Sequence, residues 1–243
     1  MTKSVIIIGG GIVGCMTAME LVNRGHQVTI VERNQIASQT SGESSWAGGG
    51  IIFPLLPWHY AEAVNTLTRH AAHFYRELSQ NLLIETGIDA NFAQSGFLLL
   101  PGFDRQAALN WCEKYGVTAQ KVRAADYDVQ SLSGEDALWL PDVCQIRPPY
   151  AMQAMRKWLE LHKVKMLEHT QLVPLQETHE LNEWQTSNGD KLRADQFVVT
   201  SGAWSFDLLK ETSAKLNIKP MRGQILLYKP ETNLKQMVYR EGF

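Results

Sequence analysis

Gly9, Gly11 and Gly14 form a Gly-x-Gly-x-x-Gly run, and an acid, Glu32, follows eighteen residues after the last of them. A missing side chain at Gly9 permits a tight turn. At Gly11 it lets the backbone approach a pyrophosphate, and at Gly14 it lets a helix pack closely on a strand. The amides of the first helical turn, Ile12 and Val13 included, then face the phosphates, and the helix dipole adds to their pull. The Glu32 carboxylate suits ribose hydroxyls, and its charge repels a 2′-phosphate. The combination reads as a dinucleotide site. The bland alternative is a glycine-rich turn beside a surface Glu32.

The fingerprint does not choose between NAD and FAD. The stretch after Glu32 bears on that choice. Residues 38–45 are rich in hydroxyls, and Ala47, Gly48, Gly49 and Gly50 are nearly bare of side chains. A flat isoalloxazine ring needs backbone that close, with N–H groups aimed at its edge. A flexible glycine loop is the competing reading.

These residues need elements to hold them. Val5–Ile8 is a continuous β-branched and apolar run, the mark of a strand buried on both faces. Ile12, Cys15, Met16, Met19 and Val22 then recur at helical spacing, with Gly25 at the stop. Val28–Val31 is a second buried strand, which completes one β-α-β unit. Residues 38–50 read as a loop. Val64, Leu67, Ala71, Phe74, Leu78 and Leu82 predict one long helix ending at Gly87. A strand over 96–100, a helix around 108–115 stopped at Gly116, and a helix through Met152, Met155, Leu159 and His162 follow. Pro141, Pro148 and Pro149 read as breakers. Further strands are expected at 164–167, 171–176, 183–187, 196–200 and 225–228. The alternation predicts an α/β fold.

The chain has 243 residues, 44% hydrophobic and 20% charged, with a formal net charge of −2. It can bury a sizeable core, and it lacks the basic surplus of a bulk nucleic-acid binder. Cys15, Cys112 and Cys144 lie far apart, so neither a disulfide framework nor a zinc site is expected. No segment reads as a leader or membrane span, and a reducing cytoplasmic setting is expected.

Three further segments carry a resemblance. They are Glu32-Arg33, Ser45-Trp46-Ala47-Gly48-Gly49-Gly50-Ile51 and Pro54-Leu55-Leu56-Pro57-Trp58. Together they resemble the ThiO-type glycine oxidases, in the D-amino-acid oxidase group of FAD-dependent oxidoreductases. Thr200-Ser201-Gly202-Ala203-Trp204-Ser205 is similar to that group's second FAD contact, and Met221-Arg222-Gly223-Gln224 to its V-R-G-Q segment. The resemblance implies a Rossmann-like, glutathione-reductase-like FAD domain over 1–55 and 148–215. It also implies an incomplete mixed-sheet substrate domain over 56–147 and 216–243. Gly9, Gly11, Gly14, Glu32 and Arg33 would hold the AMP and pyrophosphate part of FAD. Ser44, Ser45, Ala47, Gly48 and Gly49 would line the flavin. Val173 would meet the adenine through its backbone, and Gly202 and Trp204 would close over the cofactor.

The implied activity is oxidation of glycine or another small amino acid to its imine, with oxygen reduced to hydrogen peroxide and the imine feeding the thiazole of thiamine. A sarcosine oxidase, a D-amino-acid dehydrogenase and an inactive truncated chain are the alternatives. The implied partners are a small amino acid and oxygen, with no nucleic acid or membrane and with room for a homo-oligomer. The family's active-site Tyr and carboxylate-gripping Arg are expected beyond Phe243, so no catalytic residue is assigned.

Other candidates have ordinary readings. His70 and His73 read as a solvated helix edge rather than metal ligands. Cys15 reads as a small packed hydrophobe. Arg156, Lys157, Lys163 and Lys165 read as a wetted face. Trp58 and His59 are either a roof over substrate or plain packing. Arg222 is either a cation near a bound carboxylate or part of the turn before 225–228.

Overall fold

The computed structural model describes residues 1–38, 44–127, 136–177, 180–229, 231 and 234–241. The strands are β1 (Ser4–Ile8), β2 (Gln27–Val31), β3 (Ile51–Ile52), β4 (Phe97–Leu99), β5 (Gln120–Arg123) and β6 (Asp136–Leu140). They continue with β7 (Cys144–Gln145), β8 (Lys165–Leu167), β9 (Glu183–Gln185), β10 (Lys191–Arg193), β11 (Gln196–Val199) and β12 (Met237–Tyr239). The helices are α1 (Ile12–Asn23), α2 (Ser44–Ala47), α3 (Glu62–Thr68), α4 (Ala71–Thr86), α5 (Arg105–Tyr115), α6 (Pro148–Leu161) and α7 (Ser205–Leu209). The chain divides into two compact units, one of residues 1–48, 82–88 and 148–225, the other of 49–81, 89–147 and 226–243.

The first unit holds a parallel sheet in the order β11-β1-β2-β8. As the apolar run of β1 requires, Val5 to Ile8 are all buried. The helix α6 buries Ala151, Met152, Ala154, Met155, Trp158 and Leu159, a stripe at helical spacing, and it packs against α1. A second cluster joins Ile6, Ile8 and Val31 of the sheet to Leu172, to Trp184 of the β9–β10 hairpin, and to Leu208 and Leu209. Pro148 and Pro149 do not break a helix here. They begin one, where a proline's missing N–H costs no bond. The edge strand β11 is fastened to β1 at its start. Asp195 Oδ2 accepts from the Ser4 amide at 2.7 Å and from its hydroxyl at 2.8 Å, while the Asp195 amide donates back to Ser4 Oγ at 2.9 Å.

The second unit is built on a sheet in the order β12-β4-β6-β5. Along β4 the side chains alternate between two clusters. Phe97 and Leu99 join Leu138, Leu140, Ala108 and Cys112, whereas Leu98 joins Leu100, Ala124 and Ala137. The helix α5 covers the first face. Asp104 Oδ1 caps its start by accepting from the Ala107 amide, and Gly116, at φ +66°, ends it. Trp58 packs against this core, 5.8 Å from the Phe103 ring. Gly96, at φ +67°, has its open side filled by the Trp139 ring.

Several expectations are corrected. The long helix is two, α3 and α4, with His70 in the break. Thr68 Oγ1 donates to the carbonyls of Val64 and Asn65, a back-bond that bends or ends a helix. The expected stripe is not a buried one either, since Leu67 is 86% exposed. Residues 44–47 of the expected loop form the short helix α2, and positions 39–43 lie outside the described residues. The expected strand at 171–176 is a single bridge between Leu172 and Thr186. Residues 225–228 form no strand: Leu227 and Tyr228 are about four-fifths exposed, and no neighbour gives them a ladder among the described residues. The late strand is β12 instead, parallel to β4.

Cys15, Cys112 and Cys144 are all buried and reduced. Burial pushes the Cys112 thiol up to about 11 and raises Cys144 as well. Among the described residues no cluster of His, Cys, Asp and Glu is placed to hold a metal, and no helix is long and apolar enough to cross a membrane.

The Asp195 carboxyl sits below its usual range because the Ser4 amide and hydroxyl both donate to it. A depressed folded pKa contributes stability above the unfolded value and loses it as pH falls through the folded one. Asp195→Asn should therefore lower Tm at neutral pH, and the gap to the parent should close as pH drops below 3.8, the unperturbed value. Thermal melts of both proteins between pH 3 and 7 check this.

Candidate functional site

The turn from β1 into α1 is shaped by close approaches that side chains would forbid. Gly9 lies at φ +114°, and a Cβ there would stand 2.7 Å from the Thr200 carbonyl oxygen. A Cβ on Gly14 would stand 1.9 Å from the Gly9 carbonyl oxygen, so the helix can rest on the turn only with glycine at that place. The sequence reading of Gly14 as a helix-packing residue is thus a geometric fact. A Cβ on Gly10 would meet Ile36 at 2.7 Å, and one on Gly11 would meet only the Ser45 side chain, at 3.0 Å to Oγ.

The helix has no side-chain cap of its own at Gly11. Ser45 supplies an acceptor instead, its Oγ taking the Ile12 amide at 2.9 Å. This bond places the hydroxyl of α2 at the positive end of the α1 dipole, the place where an anionic ligand is stabilised.

A cleft opens beside this turn within the first unit. Its walls include Gly9, Gly11, Glu32, Arg33, Ser44 and Ser45, with Thr170, Leu172, Gly202 and Trp204. Glu32 is only 5% exposed, and each carboxylate oxygen already takes one backbone N–H: Oε2 from Gly10 at 2.8 Å and Oε1 from Asn34 at 2.9 Å. A carboxylate has about four acceptor positions, so capacity remains for hydroxyl donors from the cleft. The Arg33 guanidinium lies over the Trp204 indole at 4.0 Å from its centroid, a cation–π pair at the rim. Gly202, at φ +55°, turns the chain after β11 so that Trp204 reaches that position.

Not every residue expected here is brought to the cleft. Val13 is 60% exposed, the Ile12 amide is bonded to Ser45 Oγ, and Gly14 lies against the Gly9 carbonyl. Ala47, Gly48 and Gly49 do not line the cleft. A Cβ on Gly49 would meet nothing within 4 Å, and one on Gly48 would meet the Ser44 carbonyl oxygen at 3.5 Å. Val173 has both of its peptide groups bonded within its own hairpin contact. Its amide donates to the Gln185 carbonyl at 3.0 Å, and its carbonyl accepts the Trp184 indole N–H at 2.8 Å. With the Ser187 amide bonded to the Gln171 carbonyl at 2.7 Å, the bridge is of the open kind, and the amide and carbonyl of Leu172 point away from β9. Leu172 is a wall of the cleft. The strand signal at 171–176 located the segment, but only the pairing register tells which peptide is left unbonded to β9.

Two other expectations change. Arg156 is not part of a wetted face, since it bonds Glu168 at 2.6 Å and the Ile36 carbonyl at 2.7 Å. Arg222 lies in an exposed, irregular segment and belongs to no strand.

Comparison with known proteins agrees with this geometry. The family described as FAD dependent oxidoreductase matches residues 4–241. A glycine oxidase of Pseudomonas putida is 34% identical over all of this chain, which spans 67% of that protein. A bifunctional protein ThiO/ThiG of a Nostoc species is 26% identical over 98% of this chain and is spanned to 37%. Among solved structures, the fold resembles a glycine oxidase from Bacillus cereus, with a TM-score of 0.73, 24% identity and coverage of 86% of this chain and 58% of that one.

The glycine contacts make opposite forecasts for two equally small changes. Gly14→Ala drives a methyl into a backbone oxygen and should lower Tm by roughly 2–10 °C. Gly49→Ala meets open space and should leave Tm within about 2 °C of the parent. Calorimetry or circular-dichroism melts of both variants decide the matter.

Proposed function

Because the chain belongs to the FAD dependent oxidoreductase family, we propose that it oxidises the amine of glycine or a similarly small amino acid to the imine, passing the electrons to oxygen as hydrogen peroxide. Within this reading the imine serves assembly of the thiamine thiazole. The observation that carries the proposal is the side-chain-free turn Gly9–Gly11 at the start of α1, which lines one cleft together with Glu32 and Leu172. The relatives at 34% and 26% identity supply the substrate class.

The residues present fit an FAD. The Gly11 backbone and the first amides of α1 would hold the pyrophosphate, with Ser44 and Ser45 adding hydroxyl donors. Glu32 would accept from the ribose hydroxyls with the positions that Gly10 and Asn34 leave open. The outward amide and carbonyl of Leu172 match the donor–acceptor edge of adenine, a role assigned here to Leu172 in place of Val173. Arg33 and Trp204 would close the rim. We assign the cofactor to segments 1–55 and 148–215 and the substrate side to 56–147 and 216–243. The chemistry FAD supplies when bound is acceptance of a hydride from the amine-bearing carbon and return of the electron pair to oxygen.

The test is a titration of the purified chain with FAD, followed by flavin fluorescence, and then peroxide assays under air. FAD should bind, and Gly11→Val should weaken binding by about a hundredfold or more, a difference of about 2.7 kcal/mol. Glycine should give more peroxide than sarcosine or D-alanine. Absence of FAD binding by the parent chain would refute the reading. A clear preference for sarcosine would assign the protein to the neighbouring oxidase activity.

A further inference from the structure

The glycine turn is not self-supporting, and part of what braces it lies outside the cleft. Gly10 contributes both ends of a short relay. Its amide donates to Glu32 Oε2 at 2.8 Å, and its carbonyl accepts the Ala37 amide at 2.9 Å. The Gly10 carbonyl and the Gly11 N–H belong to one planar trans peptide, so they point in opposite directions. Fixing the carbonyl on Ala37 therefore fixes where the Gly11 N–H is aimed, and Gly11 is a wall of the cleft.

Ala37 in turn depends on Ile36. The Ile36 side chain is fully buried in the space that a Cβ on Gly10 would need. Both of its peptide groups are gripped. Its amide donates to Glu168 Oε1 at 2.8 Å, and its carbonyl accepts from Arg156 Nη1 at 2.7 Å. Arg156 and Glu168 close the ring between themselves, Nη1 to Oε1 at 2.6 Å and Nη2 to Oε2 at 3.3 Å. Arg156 is steadied further by Glu160, one helical turn on, at 3.3 Å. The two side chains come from α6 and from the end of β8, so helix and sheet meet at one residue of the loop. Ala37 also holds φ +54°, a left-handed conformation that a non-glycine residue keeps only where its surroundings impose it.

We infer that Arg156 and Glu168 are positioning residues for the cofactor: by clamping Ile36 they set Ala37, and through the Gly10 carbonyl they aim the Gly11 N–H at the site of the pyrophosphate. The inference rests on the FAD reading above. It assigns a role to two charged residues that are not among the walls of the cleft.

The test compares the parent with Arg156→Met, Arg156→Lys and Glu168→Gln in three measurements. These are the FAD dissociation constant by flavin fluorescence, Tm without FAD, and hydrogen exchange of the Ala37 amide without FAD. Arg156→Met and Glu168→Gln should each weaken FAD binding by about tenfold, the scale of one charge-assisted hydrogen bond. Both should also speed Ala37 exchange. Arg156→Lys, which keeps the charge but not the fork, should recover part of each loss. Variants that melt earlier yet bind FAD as the parent does would reduce the pair to a structural brace and overturn the inference. Failure of the parent itself to bind FAD would refute the functional reading instead. In that case unchanged Ala37 exchange in the variants would overturn the clamp, and faster exchange would uphold it.

Discussion

The first unit depends on one near-contact. The helix α1 begins so close to the end of β1 that the Gly14 Cα faces the Gly9 carbonyl with no room for a methyl group. That closeness brings the helix's free amides and its positive end to the edge of the sheet. The adjacent parallel strand supplies Glu32 at the same edge. Everything else in the cleft is arranged around this approach: Thr200 seals the turn from β11, Ser45 meets the first helical amide, and Leu172 forms part of the wall.

Much of this was legible in the sequence because local chemistry and tertiary position coincide. A β-branched run ending in glycines can hardly be anything but a buried strand entering a turn, and β1, α1 and β2 fall where the spacing puts them. The same holds for α5, where Asp104 and Gly116 mark both ends as cap residues do. Expectation and structure part where a segment's state is decided by a distant partner. The 225–228 run is as apolar as β1 but has no ladder to join among the described residues, whereas Met237–Tyr239, without any pattern, becomes a strand beside β4. A stripe of apolar residues from 64 to 82 suggested one helix, and the chain forms two, with a break at 69–70.

The site divides in the same way. Glycines announce themselves, because their use is steric and local. That the Leu172 peptide points away from β9 could not be read, since a shift of one residue in pairing exchanges it with Val173. Nor could the ring formed by Arg156, Glu168 and Ile36, whose members lie as far as 132 residues apart. Charge counting alone made Arg156 a solvated residue. Its structural partners make it part of the frame.

The three cysteines have a bearing on the chemistry proposed for the protein. Peroxide attacks thiolates, not thiols, and only those it can reach. Each sulfur here is enclosed in a core, and at Cys112 and Cys144 the enclosure also holds the proton in place. Were the proposed oxidase chemistry to release peroxide at each turnover, these three sulfurs would lie out of that oxidant's path.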